Sequence, residues 1–211
     1  MVNDVEPLLT ITECSFIFIP VMLDMRMKDL DKQQRIKDAM VRLILRDGID
    51  GVSVSKIARE AGVSPATIYV YYNSKDEMLS EVFQEYSRRP YQYLVRQVRP
   101  DMEGPELIET IVRGSYAFST EHEEVFSFVE QCSRCPTLSA HVCEEECSCD
   151  VLDLLHSYQA RGVLKPCSDW TLGAMLFAPV RFLAMNRRTM EPDIDPQIRE
   201  LVEMLQNLLL Y

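Results

Sequence analysis

The stretch from Ser53 to Tyr72, SVSKIAREAGVSPATIYVYY, leaves few folds open. Ser53 is placed to N-cap a short helix running from about Val54 to Ala61. Ile57 and Ala61 share one face of that helix, and Ala58 is small enough for a neighbouring helix to cross closely. Gly62 supplies the positive φ of a tight turn. Ser64 then caps a second helix with Pro65 at its first position, where a missing N–H costs nothing. Val63 and Ile68 close the core beneath. Two short helices joined by a glycine-containing turn make a helix-turn-helix unit spanning about residues 54–72.

The flanks are helical as well. From Asp29, the residues Ile36, Ala39, Met40, Leu43 and Ile44 recur at spacings of three and four, the signature of one buried helix face, and Gly48 and Gly51 end that helix. Ser74-Lys75-Asp76-Glu77 reads as a capping box opening a longer helix that carries Met78, Leu79, Val82, Phe83 and Tyr86. Beyond Pro100 the pattern predicts helices over 105–120, 121–131, 137–160, 169–188 and 195–210, separated by Gly and Pro breaks. No strand-like alternation and no internal repeat appears. The expected fold is all-α: a small N-terminal bundle followed by a larger helical one. Residues 1–27 stand apart as an N-terminal extension outside the core fold, with strand character at Ile17-Phe18-Ile19.

Charge is sorted along the chain. The net charge of −11 comes from 22 Lys+Arg against 33 Asp+Glu. Residues 1–25 carry −4, residues 26–99 carry +4 and residues 100–211 carry −11. Such asymmetry separates a nucleic-acid-facing part from the rest. The apolar run from Leu8 to Leu23 contains Glu13 and Pro20 and has no positive residue before it, so it suits neither a bilayer span nor a signal peptide. No membrane partner is expected. The seven Cys are read as reduced thiols of a cytoplasmic protein.

With the motif in register from Ser53 to Lys75, and matching over about residues 29–90, the sequence resembles the tetracycline-repressor (TetR/AcrR) family of bacterial transcriptional regulators. The resemblance implies a three-helix DNA-binding domain over residues 28–90 and an effector-binding, dimerisation domain over 91–211. It implies a repressor that binds a palindromic double-stranded operator as a homodimer and is released by a small effector, with no cofactor required. It also assigns residues. Ser53 meets a phosphate, with Lys56 as a further contact. Ser64, Pro65, Ala66 and Thr67 form the leading end of the recognition helix. Tyr69 and Tyr71 direct phenols at phosphates, Tyr69 also near bases, Val70 packs on a thymine methyl, and Lys75 meets a phosphate. Tyr72 is assigned to packing. The recognition helix carries no Arg, Asn or Gln, so specificity is expected from methyl contacts and DNA shape, with phosphates supplying most of the affinity.

In the acidic half, the helices expected at 169–188 and 195–210 resemble the family's dimerisation pair, with Ala174 and Ala178 allowing close approach. Tyr86, Tyr116, Phe118, Phe126, Phe128, Tyr158, Phe177 and Phe182 offer material for an effector pocket, most of them expected as plain core, and the sequence does not single out its lining. Cys132, Cys135, Cys143, Cys147 and Cys149, interleaved with His141, fall within eighteen residues. Three readings stay open for them: incidental thiols, a thiophilic metal site, or a thiol-oxidation switch. The rival classes are a thiol redox enzyme, which lacks the β-α-β pattern around Cys132-x2-Cys135, and a helical adaptor, which leaves the in-register motif unexplained. No catalytic residue is expected.

Overall fold

The computed structural model describes residues 15–136, 138, 149–189 and 193–211, with side chains from Asp29 onward and excluding those of 149 and 150. Among these residues the chain forms α1 (Ser15–Asp47), α2 (Val54–Ala61), α3 (Pro65–Tyr71), α4 (Lys75–Val95), α5 (Gly104–Glu121), α6 (Glu123–Cys132), α7 (Cys149–Ala160), α8 (Asp169–Asn186) and α9 (Asp195–Leu209). The all-α expectation holds, with one isolated bridge, Leu164 to Leu210, pinning the C-terminus beside the loop before α8.

Two expectations change. The run Ile17-Phe18-Ile19 is helical, continuing α1 upstream of Asp29. Strand-favouring residue types do not make a strand without a partner to complete the ladder. The capping box at Ser74 closes differently as well: Ser74 Oγ accepts from Glu77 N at 3.1 Å, but Glu77 returns its carboxylate to the Asn73 backbone N–H and side-chain amide, both at 2.9 Å. The helix expected at 137–160 is described as α7 from Cys149, and residues 139–148 lie outside the described residues.

Apolar periodicity builds two cores. The first gathers Ile36, Met40 and Ile44 of α1, Ile57 of α2, Ile68 of α3 and Val82 of α4, and is completed by Phe128 and Cys132 of α6. The second gathers Leu107 and Ile111 of α5, Leu155 of α7, Leu176 of α8 and Val202 of α9. Helix α4 serves both, because Met78 to Tyr86 lie in the first core and Leu94 in the second. A polar seam ties α4 to α1. Lys37 pairs with Glu85, Arg89 lies 3.0 Å from the same carboxylate, and the Tyr86 phenol donates to Asp38 at 2.9 Å. Burial raises the Glu85 carboxyl, but hydrogen bonds from Lys37 and Arg89 outweigh it and hold the group below its ordinary range. Burial, then Asp38, pushes the Tyr86 phenol up to about 12.

The turn between α2 and α3 depends on one backbone conformation. Gly62 sits at φ 67°, and the Val63 N–H closes back to Ala58 O at 2.9 Å. A Cβ at Gly62 would meet open space, its nearest neighbour being Arg35 Nη1 at 3.9 Å. The expected cost of Gly62→Ala is therefore left-handed backbone strain alone, about 1–2 kcal/mol. Denaturant titration of the variant checks this; unchanged stability would mean that the turn does not constrain the motif.

Candidate nucleic-acid interface

Helix α3 has seven residues, too few to hold its shape alone in water. It is anchored by Ile68 and by Tyr72 just past its end, both buried. Helical spacing then turns Pro65, Ala66, Tyr69 and Val70 outward. Val70 is 78% exposed and Tyr69 57% exposed, so two large side chains stand side by side on the outer face of this short helix. The N-terminal end is fixed locally: Ser64 Oγ accepts from Thr67 N at 3.1 Å and shares a hydrogen bond with Thr67 Oγ1 at 2.9 Å. Ser53 caps α2 in the same way, accepting from Lys56 N at 3.3 Å.

The structure brings Ser53, Lys56 and Lys75 to a single loop. Lys56 Nζ donates to Gly51 O at 2.6 Å and reaches Asp47 at 3.3 Å, while Lys75 Nζ donates to Val52 O at 3.3 Å. The loop carrying Ser53 is thus flanked by two ammonium groups from different helices. Each ammonium has three donors, so bonds to loop carbonyls leave hydrogens for another acceptor. Hydrogen bonds from Arg46 and then Lys56 hold the Asp47 carboxyl below its ordinary range.

Tyr71 stands apart from the other α3 positions. Its phenol donates to Asp29 of α1, and that bond, then burial, pushes it up to about 12. This contact spans 42 positions, and sequence reading missed it because nothing local marks Asp29 as a partner. Arg42 and Arg46 of α1 pair with Glu60 of α2 at 3.3 and 3.7 Å and brace the two helices against each other.

Away from this face, a cavity of about 320 Å³ opens between α4, α5, α6 and α8. Phe118, Phe126 and Phe177 line it together with Tyr91, Pro90 and Leu94. Of the aromatic residues that the sequence offers for a pocket, Tyr86, Phe128 and Tyr158 are buried core instead, and Phe182 faces out. Helices α8 and α9 expose Trp170, Met175, Phe182, Met185, Met204 and Leu208. Ala174 and Ala178 are exposed on the same helix α8.

Cys132 ends α6 inside the first core, where burial and then Cys135 push its thiol up to about 12. Such a thiol is a poor nucleophile and metal ligand. Cys135 lies in the turn that follows and is half-buried. Cys143, Cys147 and the side chain of Cys149 lie outside the described residues. Among the described residues no group of three or more His, Cys, Asp or Glu side chains could hold a metal ion, and no helix is long and apolar enough to cross a membrane.

Comparison with known proteins agrees with this geometry. The family described as bacterial regulatory proteins, tetR family, matches residues 36–82, which contain α2, α3 and the start of α4. A helix-turn-helix-type transcriptional regulator of Haemophilus influenzae is 25% identical over 182 residues, covering 84% of this chain and 95% of that protein. A nicotine-responsive transcriptional repressor of Paenarthrobacter nicotinovorans is 34% identical over 87 residues, covering 41% of this chain and 43% of that one. The crystal structure of a TetR-family transcriptional regulator from Haemophilus influenzae superimposes with a TM-score of 0.73 at 22% identity, over 86% of this chain and 98% of that one. Residues 36–82 thus match the tetR family of bacterial regulatory proteins, and over most of its length the chain is similar to a helix-turn-helix-type transcriptional regulator.

Proposed function

We propose that the chain is a cytoplasmic repressor that binds a palindromic operator as a homodimer and leaves it when a small molecule fills the cavity beside α4. The supporting observation is the exposed face of α3, where Tyr69 and Val70 stand out from a helix too short to persist without its buried anchors. In this reading α3 enters the major groove, with Pro65, Ala66, Tyr69 and Val70 toward base edges and Ser64 and Thr67 at the adjoining backbone. Ser53, Lys56 and Lys75 approach phosphates from the loop they share. Tyr71 reaches a phosphate only on leaving Asp29, an exchange of one anionic acceptor for another. The DNA-binding part is taken as residues 28–90 and the effector and dimer part as 91–211.

Exposed apolar side chains on α8 and α9 support the dimer. Trp170 is 77% exposed and Phe182 62% exposed, and a face of this kind on a soluble chain marks an association surface. A two-fold pair sets the two α3 helices one DNA turn apart, ~34 Å. Release follows if the effector prefers a conformation in which that spacing is lost. Helix α4 supplies the link, because it runs from Lys75 beside the Ser53 loop to Leu94 on the cavity wall.

Three outcomes are expected. Footprinting of genomic fragments with the purified chain should protect palindromic sites, with affinity falling steeply between low and physiological salt; no protection at any concentration, or a flat salt response, overturns DNA binding through phosphates. Lys75→Ala should weaken all DNA sequences about equally and lower the salt slope by about one unit, read by fluorescence anisotropy. Replacing Phe182 and Met204 together by Glu should convert a sedimenting dimer into a folded monomer with helical circular dichroism retained. A wild-type chain that sediments as a monomer at micromolar concentration defeats the dimer.

A further inference from the structure

The apolar cavity has a polar neighbour. A cleft of about 560 Å³ adjoins it and shares Phe126, Glu130 and Ala184 as walls. Residues 100–211 carry eight Lys and Arg against nineteen Asp and Glu. Four of those eight, Arg134, Arg181, Arg187 and Arg188, stand on the walls of this joined space. They come from the turn after α6, from α8 and from the turn after it, so no short motif announces the cluster.

Two carboxylates face the four guanidinium groups. Glu123 Oε1 lies 2.7 Å from Arg187 and 2.8 Å from Arg188. Glu130 Oε2 lies 3.0 Å from Arg181 Nε, without the alignment of a hydrogen bond. The Glu130 side chain is only 11% exposed and stands where chamber and cleft meet. The local balance is positive inside a half that is strongly negative overall. Burial, with Arg181 and Arg134 opposing, raises the Glu130 carboxyl above its ordinary range, which reduces its repulsion of a second anion.

Resting on the reading of this cavity as the effector site, we propose that its ligand is an amphipathic anion, with an apolar tail between Phe118, Phe126 and Phe177 and a carboxylate or phosphate headgroup held by Arg181 and Arg134. The guanidinium fork matches both headgroups in shape and offers paired donors. An ammonium headgroup in the same place faces four like charges. A neutral headgroup leaves the guanidinium surplus unanswered. Arg181 is more than half exposed, and its ion pair with Glu130 lacks the alignment of a hydrogen bond, so turning it to a headgroup sacrifices little.

The test uses the full chain and four twelve-carbon probes below their micelle concentrations: laurate, dodecyl phosphate, dodecanol and dodecylamine. Binding is read by isothermal calorimetry, and release by anisotropy of labelled genomic DNA. Laurate or dodecyl phosphate should bind at least tenfold more tightly than dodecanol and dodecylamine. The better of the two identifies the headgroup. Arg181→Gln and Arg134→Gln, both on exposed side chains, should each erase most of the preference for the anion while dodecanol binding persists. The ligand class is overturned if dodecylamine binds as well as the anions, if no anion binds, or if both variants keep the full preference. Tight anion binding that leaves DNA affinity unchanged upholds the ligand class and overturns the effector reading, which keeps the two failures distinct.

Discussion

Burial of Ile68 and Tyr72 holds the rest of the interface in place. A helix as short as α3 gains too few internal hydrogen bonds to offset the entropy of ordering it. Its conformation is therefore borrowed from the core formed by α1, α2, α4 and α6. Burying two side chains on one side of the helix fixes the rotation of the helix, and rotation decides which residues face out. Tyr69 and Val70 are presented because Ile68 and Tyr72 are not. The Ser64 cap then stops the helix from sliding along its axis, since the cap bond is satisfied at only one register.

The same core extends beyond the motif. Phe128 and Cys132 of α6 fill it from the acidic half, and the Gln131 side chain donates to Ile44 O at 3.1 Å across 87 positions. Helix α4 passes through both cores without interruption, although Pro90 lacks the N–H that would bond to Tyr86 O. The position is braced by side chains: Tyr86 is held from α1 by Asp38, while within α4 Arg89 pairs with Glu85 and its guanidinium covers the Tyr86 ring at 3.7 Å. Side-chain contacts thus support the helix where its own ladder is weakest, at the border between the reading unit and the cavity.

Much of the first bundle was legible in the sequence because its determinants are local. Ser53, Gly62, Ser64 and Pro65 act within a few residues of themselves, and a cap or a left-handed turn is specified by the residue that makes it. The buried faces of α1 and α4 followed from periodicity in the same way. What escaped was long-range. Nothing near Lys56 or Lys75 indicates that both ammonium groups turn to the carbonyls of Gly51 and Val52, and nothing near Tyr71 points to Asp29. The aromatic residues of the second half looked alike in sequence, yet packing sends Phe118 and Phe177 to a cavity wall, Tyr158 into the core and Phe182 to the surface. Those fates depend on how helices from distant parts of the chain meet.

Charge follows the same division between local and global. The +4 of residues 26–99 and the −11 of residues 100–211 can be counted from the sequence, and they suit a chain that offers one end to a polyanion and keeps the other away. Averages hide the exception. Arg134, Arg181 and the adjacent Arg187 and Arg188 come from three places in an acidic half, and only folding gathers them around Glu123 and Glu130. Their collection is unfavourable in isolation, since four like charges repel, and Glu123 and Glu130 offset it only in part. Over an apolar chamber, such an uneven balance favours an added negative charge joined to an apolar body. Each separate piece, whether a headgroup without a tail or a tail without a headgroup, satisfies only half of the site.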